Sequence, residues 1–331
     1  MGDLNFKDFA TDQEVRWCPG CGDYAILKGV QRALAEGGSI PEKTVFVSGI
    51  GCSSRLPYYV NTYGFHTIHG RAPAFATGVK LANPELEVWV ITGDGDGLSI
   101  GGNHLLHTLR RNIDLNILLF NNEIYGLTKG QYSPTSRTGT KSPTSPTGSV
   151  EAPLAPGQFA IGAGATFFAR CVDIDVKTMP ALFNEAKAHK GTSFVEILQN
   201  CIVYNKDVFD DVVAKKGAAE TQIHVNHGEP LLFGKDKDKG LRLNTQSLRL
   251  EVVTLDVDGV SREDILVHDE TNPTLALLLA NLEGPTAMGV ILRTERAAFD
   301  ESYWGIRRHD RTAKVQQLLR TGYLLDRRPK T

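Results

Sequence analysis

The chain has 331 residues, 41% of them hydrophobic and 22% charged, with a formal net charge of −2. That is the composition of a globular protein with enough apolar side chains for a sizeable core. It argues against a basic nucleic-acid binder or a membrane-surface protein, and no stretch reads as a signal peptide or a bilayer span, so a cytoplasmic protein is expected.

Taken in chain order, a polar N-terminal segment leads into Trp17-Cys18-Pro19-Gly20-Cys21-Gly22. Residues Thr44 to Ser48 are β-branched and apolar, and read as a buried strand running into Gly49-Ile50-Gly51-Cys52-Ser53-Ser54. The spacing of Phe75, Val79 and Ala82 predicts a helix over Ala72 to Ala82. A second strand follows at Glu87 to Thr92. A helix follows at Ser99 to Arg111, with Leu105, Leu106 and Leu109 on one side. Asn116 to Phe120 reads as a third strand, Ala181 to His189 as a helix and Phe194 to Leu198 as a fourth strand. Strands alternating with helices predict an α/β fold, a mostly parallel sheet with helices on both faces.

The stretch from Gly130 to Pro156 is rich in Ser, Thr, Pro and Gly. A loop of that length inside a compact domain is more often functional than a linker, so it is read as part of one domain. Beyond Asn205 the chain is charged and irregular to residue 240. Strands are then expected within Leu241 to Leu255 and a helix within Arg262 to Leu282. No motif falls in this part, so residues 1–205 are expected to form the functional domain and 206–331 a C-terminal extension that contacts a partner.

Gly93-Asp94-Gly95-Asp96-Gly97 follows a strand and precedes a helix. Its glycines let backbone N–H groups approach an anion, and the helix N-terminus favours negative charge. A carboxylate inside such a loop makes sense when a hard cation bridges it to a phosphate. Asn121-Asn122, at the end of the next strand, supplies a further oxygen on the same rim, where open α/β sheets bind ligands. Together these predict thiamine diphosphate held through Mg²⁺, with Asp94 as the carboxylate. No GxxxxGK[ST] is present to support a nucleotide phosphate loop. Nor does a GxGxxG with a downstream acid open the first βα unit, as a nicotinamide site requires.

The cysteines are Cys18, Cys21, Cys52, Cys171 and Cys201. An odd number in an intracellular-type chain argues against a disulfide framework. Cys52 and Cys201 fall beyond strand ends, on the cofactor rim. From the cysteines alone, zinc and an iron–sulfur cluster weigh equally. A thiamine site beside them favours an electron acceptor, hence a [4Fe–4S] cluster. Cys171, in an apolar strand-like run, is expected to be a core thiol. The rivals are a thiamine-dependent lyase or carboligase with structural zinc, and a non-catalytic binding module.

Five stretches in the same order resemble the β subunits of the 2-oxoacid:ferredoxin oxidoreductases: WCPGCGD at 17–23, SGIGCSS at 48–54, HTIHGRAPAFATGVKLANP at 66–84, GDGDGLSIGGNHL at 93–105 and NNEIYGLTKGQ at 121–131. The likeness runs from about Trp17 to Tyr204, and the GLTKGQ and SPTS stretches look most like the 2-oxoglutarate-type or broad-substrate branch, which implies 2-oxoglutarate as the favoured substrate and pyruvate as the alternative. The resemblance implies a thiamine diphosphate-binding fold. It implies one [4Fe–4S] cluster on Cys18, Cys21, Cys52 and Cys201, and Mg²⁺ on Asp94, Asn122 and the Ile124 carbonyl. Ile50, Gly51, Cys52, Ser53, His69, Gly95, Asp96, Gly126 and Leu127 would contact thiamine diphosphate. His69 also has a reading as a polar core histidine.

Lys129 would open a loop over the substrate entrance, running to about Gly148, and would meet the substrate carboxylate; its other reading is a solvated loop lysine. The implied reaction is oxidative decarboxylation of a 2-oxoacid with coenzyme A, giving acyl-CoA, CO₂ and reduced ferredoxin, or the reverse carboxylation. The glutamate that activates thiamine diphosphate would come from an α subunit in an (αβ)₂ assembly, so the isolated chain is expected to be inactive.

Overall fold

Each strand expected from an apolar run forms, and both its faces are buried because successive side chains enter opposite cores. The computed structural model describes residues 4–213, 217–308 and 311–322. The strands are β1 (Thr44–Ser48), β2 (Tyr63–His66), β3 (Glu87–Gly93), β4 (Leu115–Asn121), β5 (Phe167–Val172), β6 (Thr192–Leu198), β7 (Gln222–Val225), β8 (Leu232–Phe233), β9 (Lys239–Asn244), β10 (Arg249–Thr254) and β11 (Thr286–Arg293). Eight of them make one sheet in the order β2-β1-β3-β4-β6-β5-β11-β7. Strands β1 to β6 are mutually parallel, and β11 joins β5 antiparallel and carries β7 beside it in parallel. Strands β8, β9 and β10 form a small antiparallel sheet.

The helices are α1 (Asp23–Glu36), α2 (Ala72–Ala82), α3 (Gly102–Arg111), α4 (Pro156–Gly162), α5 (Met179–Ala188), α6 (Asp210–Val213), α7 (Ala218–Thr221), α8 (Pro273–Ala280), α9 (Phe299–Arg308) and α10 (Arg311–Thr321). Val45, Val47, Val88, Val90, Ile117 and Leu119 enter the core beneath α2, α3, α4 and α8. Phe46, Trp89, Ile91, Leu118 and Phe120 enter the opposite core, beneath α1 and α5. Helix α1 was not expected from the sequence, although its buried Ile26, Leu27, Val30, Ala33 and Leu34 have helical spacing.

Three features differ from expectation. In α2 the buried residues are Ala72, Pro73, Ala76 and Lys80, whereas Phe75 is 53% exposed. Small residues let this helix lie close on the sheet, which turns the larger Phe75 outward. The expected Ser99–Arg111 helix is preceded by a π-helical turn, Asp96–Ile100, closed by Gly101 N–H donating to the Asp96 carbonyl at 3.1 Å; such turns concentrate at functional sites. Strands β7 and β11 belong to the main sheet, and Ile223, Leu241, Ile265 and Ile291 share a core with Val45 and Ile117. Residue 205 therefore does not separate two cores.

Candidate cofactor site

Four strand ends build the site, all on one rim because β1, β3, β4 and β6 are parallel. A cleft of about 600 Å³ lies over the first three. All the positions expected to touch thiamine diphosphate line it: Ile50 to Ser53, His69, Gly95, Asp96, Gly126 and Leu127. So do Asp94, Asn122 and Ile124. Gly95 has to be glycine, because an added Cβ would lie 2.1 Å from the Tyr125 ring.

Asp94 is 2% exposed. Among the described residues no Lys or Arg pairs with it, and Thr135 Oγ1 donates to its Oδ2 at 2.7 Å. Burial holds its carboxyl above the ordinary carboxylate range, opposed by hydrogen bonds from Ser133, Thr135 and backbone. A buried carboxylate of this kind is poised to take a cation. Asn122 Nδ2 donates to Gln199 Oε1 at 2.8 Å, and Asn122 Oδ1 accepts from Ile124 N–H at 3.3 Å, which leaves one lone pair of Oδ1 for a further partner. Among the described residues no hydrogen bond ends on the Ile124 carbonyl oxygen.

Asp96 lines the cleft, but both its oxygens are engaged. Oδ1 accepts from Gly70 N at 2.7 Å and Oδ2 from Thr92 Oγ1 at 2.6 Å. Asp96 thereby fixes the turn that carries His69. His69 is exposed at the cleft rather than held in the core. His66, which the sequence did not single out, also lines the cleft, with Nδ1 3.1 Å from Ser48 Oγ.

A second cavity, of about 190 Å³, is lined by Cys18, Cys21, Cys52 and Cys201, and Cys171 is buried elsewhere in β5. The two cavities share the wall formed by Cys52, Asn122, Gly126 and Leu127. A Cβ on Gly126 would lie 3.5 Å from Cys201 Sγ and 3.9 Å from Cys52 Sγ, ordinary van der Waals distances that put this stretch of backbone directly against the two sulfurs. Burial pushes the Cys21 thiol far up, and pushes Cys52 up to about 11, helped by Asp23 and neighbouring cysteines. These thiols ionise only if a positive centre compensates them. Among the described residues, no three His, Cys, Asp or Glu side chains close round a point that would hold a single metal ion.

The Ser/Thr/Pro-rich loop is built of turns and pinned to the site. Besides the Thr135 contact, Ser136 Oγ donates to the Glu123 carbonyl at 2.5 Å, and Arg137 Nε lies 3.3 Å from Glu123 Oε2. Burial, countered by Arg137, raises Glu123 to about 7. Lys129 stands exposed at the rim in a left-handed conformation, φ 76°, and does not line the cleft. Thr135 and Gln199 are the residues that sequence reading missed. The only available signals were the position of Gln199 just past a strand end and that of Thr135 in the SPTS stretch.

Residues 49–197 match the family model described as thiamine pyrophosphate enzyme, C-terminal TPP binding domain. The chain is similar to the 2-oxoglutarate oxidoreductase subunit KorB of Mycobacterium tuberculosis, 50% identical over 302 residues, covering 89% of this chain and 80% of that one. It is also similar to 2-oxoacid:ferredoxin oxidoreductase 1, subunit beta, of Aeropyrum pernix, 46% identical over 62% of this chain and 64% of that one. Among solved structures, it is similar to 2-oxoglutarate:ferredoxin oxidoreductase from Magnetococcus marinus with 2-oxoglutarate, coenzyme A and succinyl-CoA bound. That match has a TM-score of 0.77 and 34% identity, covering 96% of this chain and 97% of that one.

Proposed function

This chain belongs to the β subunits of the 2-oxoacid:ferredoxin oxidoreductases, and on that premise we propose that it provides the cation–diphosphate half of a thiamine diphosphate site together with a [4Fe–4S] cluster. With its α subunit, in an (αβ)₂ assembly, it oxidatively decarboxylates a 2-oxoacid with coenzyme A and passes the electrons to ferredoxin in the cytoplasm, or runs the reverse. 2-Oxoglutarate is favoured over pyruvate by the names of the relatives and by the ligands of the Magnetococcus enzyme. The observation that carries the proposal is the wall shared by the diphosphate cleft and the four-cysteine cavity.

The residues fit both groups. Asp94, Asn122 Oδ1 and the Ile124 carbonyl form an oxygen set suited to Mg²⁺, and the burial of the Asp94 carboxylate with no Lys or Arg partner among the described residues supports this. Four cysteines lining one cavity offer the set of thiolates that a [4Fe–4S] cluster takes, and the adjoining thiamine site gives such a cluster electrons to accept. Thiamine diphosphate, when bound, supplies the carbon nucleophile and the electron sink for loss of CO₂. The protein's part is placement. Asp94 and Asn122 hold the cation, Gly95 lets the chain approach the diphosphate, and Cys52 places the cluster ligands against the cleft. Lys129 stands outside the cleft on a turn where its N–H bonds the Gly126 carbonyl at 3.0 Å, next to the lining residues Leu127 and Thr128, a place from which its long side chain can reach a substrate carboxylate.

Thr135→Val removes a hydrogen bond to a buried charge, worth about 1.5–3 kcal/mol. It is expected to raise the Mg²⁺ concentration needed for thiamine diphosphate binding about tenfold or more, with Thr135→Ser close to wild type. An unchanged Mg²⁺ titration would show that Thr135 does not orient Asp94.

The α subunit supplies the activating glutamate. Among the described residues lining the cleft the one glutamate is Glu14, which is 78% exposed and paired with Arg16 at 2.8 Å. Exposed Tyr58, Tyr63, Phe65, Ile68, Phe75 and Ile100 border the same edge and provide an apolar docking face. Ile306, Val315, Leu318 and Leu319 on α9 and α10 are exposed as well, a second set of apolar side chains open to a partner. The test is to assay the purified chain alone and with the α subunit, using 2-oxoglutarate, coenzyme A and an artificial acceptor. Proton transfer by a positioned group contributes about 10²–10⁴-fold, so the isolated chain should be slower by at least that range. Full activity without the α subunit would refute the shared site, and a colourless protein with stoichiometric zinc would refute the cluster.

A further inference from the structure

Gln199 follows β6 and is 1% exposed. Its backbone N–H donates to the Asn121 carbonyl at 2.9 Å, which sets its side chain between the two cavities. The side-chain Oε1 accepts from Asn122 Nδ2 at 2.8 Å. Nε2 donates to Cys21 Sγ at 3.3 Å and to the Asn200 carbonyl at 2.8 Å. Only one orientation of the amide satisfies all three contacts. Turning it would set Oε1 against the Asn200 carbonyl and Nε2 against the Asn122 amide nitrogen. The same constraint fixes Asn122. Its nitrogen faces Gln199 and its Oδ1 accepts from Ile124 N–H at 3.3 Å, which leaves the second lone pair of Oδ1, the kind of oxygen donor a hard cation takes, for the cleft.

We propose that Gln199 is a positioning residue shared by the two cofactor sites, its N–H setting the electron density on the Cys21 sulfur and its carbonyl aiming Asn122 Oδ1 at the cation. This rests on the reading of Cys21 as a cluster ligand and Asn122 as a Mg²⁺ ligand. A hydrogen bond to a ligating sulfur stabilises the more negative, reduced cluster and so raises its potential. An outer partner of a metal ligand commonly accounts for 10–100-fold in metal affinity. One buried amide therefore acts on both ends of the electron path. Two of the three contacts join residues 178 and 77 positions apart in the chain.

The test uses the αβ enzyme. Gln199→Met keeps the length and removes both the donor and the acceptor. Gln199→Glu keeps an acceptor oxygen for Asn122 and removes the amide N–H. Two quantities are read: the cluster midpoint potential, by EPR-monitored redox titration, and the Mg²⁺ concentration needed for thiamine diphosphate binding. Gln199→Met should shift the oxidised-to-reduced ratio at fixed potential about tenfold toward oxidised, about 59 mV more negative for one electron. Its Mg²⁺ requirement should rise about tenfold or more. Gln199→Glu should move the potential in the same direction with a near-wild-type Mg²⁺ requirement. Full iron with an unchanged potential in Gln199→Met overturns the proposal. If that variant fails to load iron, an unchanged potential in Gln199→Glu overturns it. A wild-type enzyme without iron, or without any Mg²⁺ requirement, would instead remove the reading on which the proposal rests.

Discussion

Asp94→Asn should abolish Mg²⁺-dependent thiamine diphosphate binding at millimolar Mg²⁺ while leaving the iron content intact. The substitution keeps the shape and the Thr135 partner but removes the carboxylate poised for a cation, since the oxygens of Asp96, the other buried carboxylate of the cleft, are engaged by Gly70 N and Thr92 Oγ1. Breaking a buried ion pair costs about 3–5 kcal/mol, which corresponds to a factor of about 10² to several thousand in cation affinity. The apoprotein should respond with the opposite sign. A carboxyl held above its ordinary range by burial binds its proton more tightly in the folded state. Stability is then lost as pH rises from the ordinary carboxylate range through the folded value, so at neutral pH the bare Asp94 is destabilising. The uncharged amide of Asp94→Asn escapes that cost, and the apo variant should melt no lower than apo wild type. With Mg²⁺ and thiamine diphosphate added, only wild type should gain in Tm. Thermal melts with and without the ligands, alongside iron analysis, check both signs. Loss of iron in the variant would mean that the substitution disrupts the fold, and equal ligand-induced stabilisation would exclude Asp94 as the cation ligand.

Cys52→Ala should drive ferredoxin reduction to background while thiamine diphosphate still binds. Cys52 stands in the wall common to both cavities, so its sulfur is well placed to link the two chemistries. Its backbone is held independently, because Trp17 Nε1 donates to the Cys52 carbonyl at 2.7 Å. Removing one sulfur from this partly buried side chain costs the fold only about 1 kcal/mol by burial arithmetic, so a lost activity would reflect the lost ligand. The expected readings are a depleted iron and sulfide content and a bleached visible spectrum. Cys171→Ala is the matched control: it lies in β5, away from the cysteine cavity, and should keep its iron. Undiminished iron and electron transfer in Cys52→Ala would remove Cys52 from the ligand set.

How much of this was legible depended on how local each signal was. Strands β1, β3, β4 and β6 were readable because a strand buried on both faces is an uninterrupted apolar run. Strand β2 was not, because as an edge strand all four of its residues are exposed and carry no burial pattern. The outward turn of Phe75 was equally hidden. Spacing identifies a helix face, but whether large or small residues meet the sheet is set by how closely the helix can approach it.

By itself the sequence determined the cofactor class and its rim. Gly-Asp-Gly, Asn-Asn, Cys52 and Cys201 each follow a short segment whose own pattern marks a strand end, and parallel strands put such ends on one side, whereas the Cys18–Cys21 pair follows a polar segment that marks no place in the sheet. Only the tertiary structure decided that Cys18, Cys21, Cys52 and Cys201 share one cavity and that this cavity adjoins the cleft. It alone placed Thr135 on Asp94 and Gln199 between Asn122 and Cys21. Hydrogen bonds between residues far apart in the chain follow from packing, and no local periodicity encodes them.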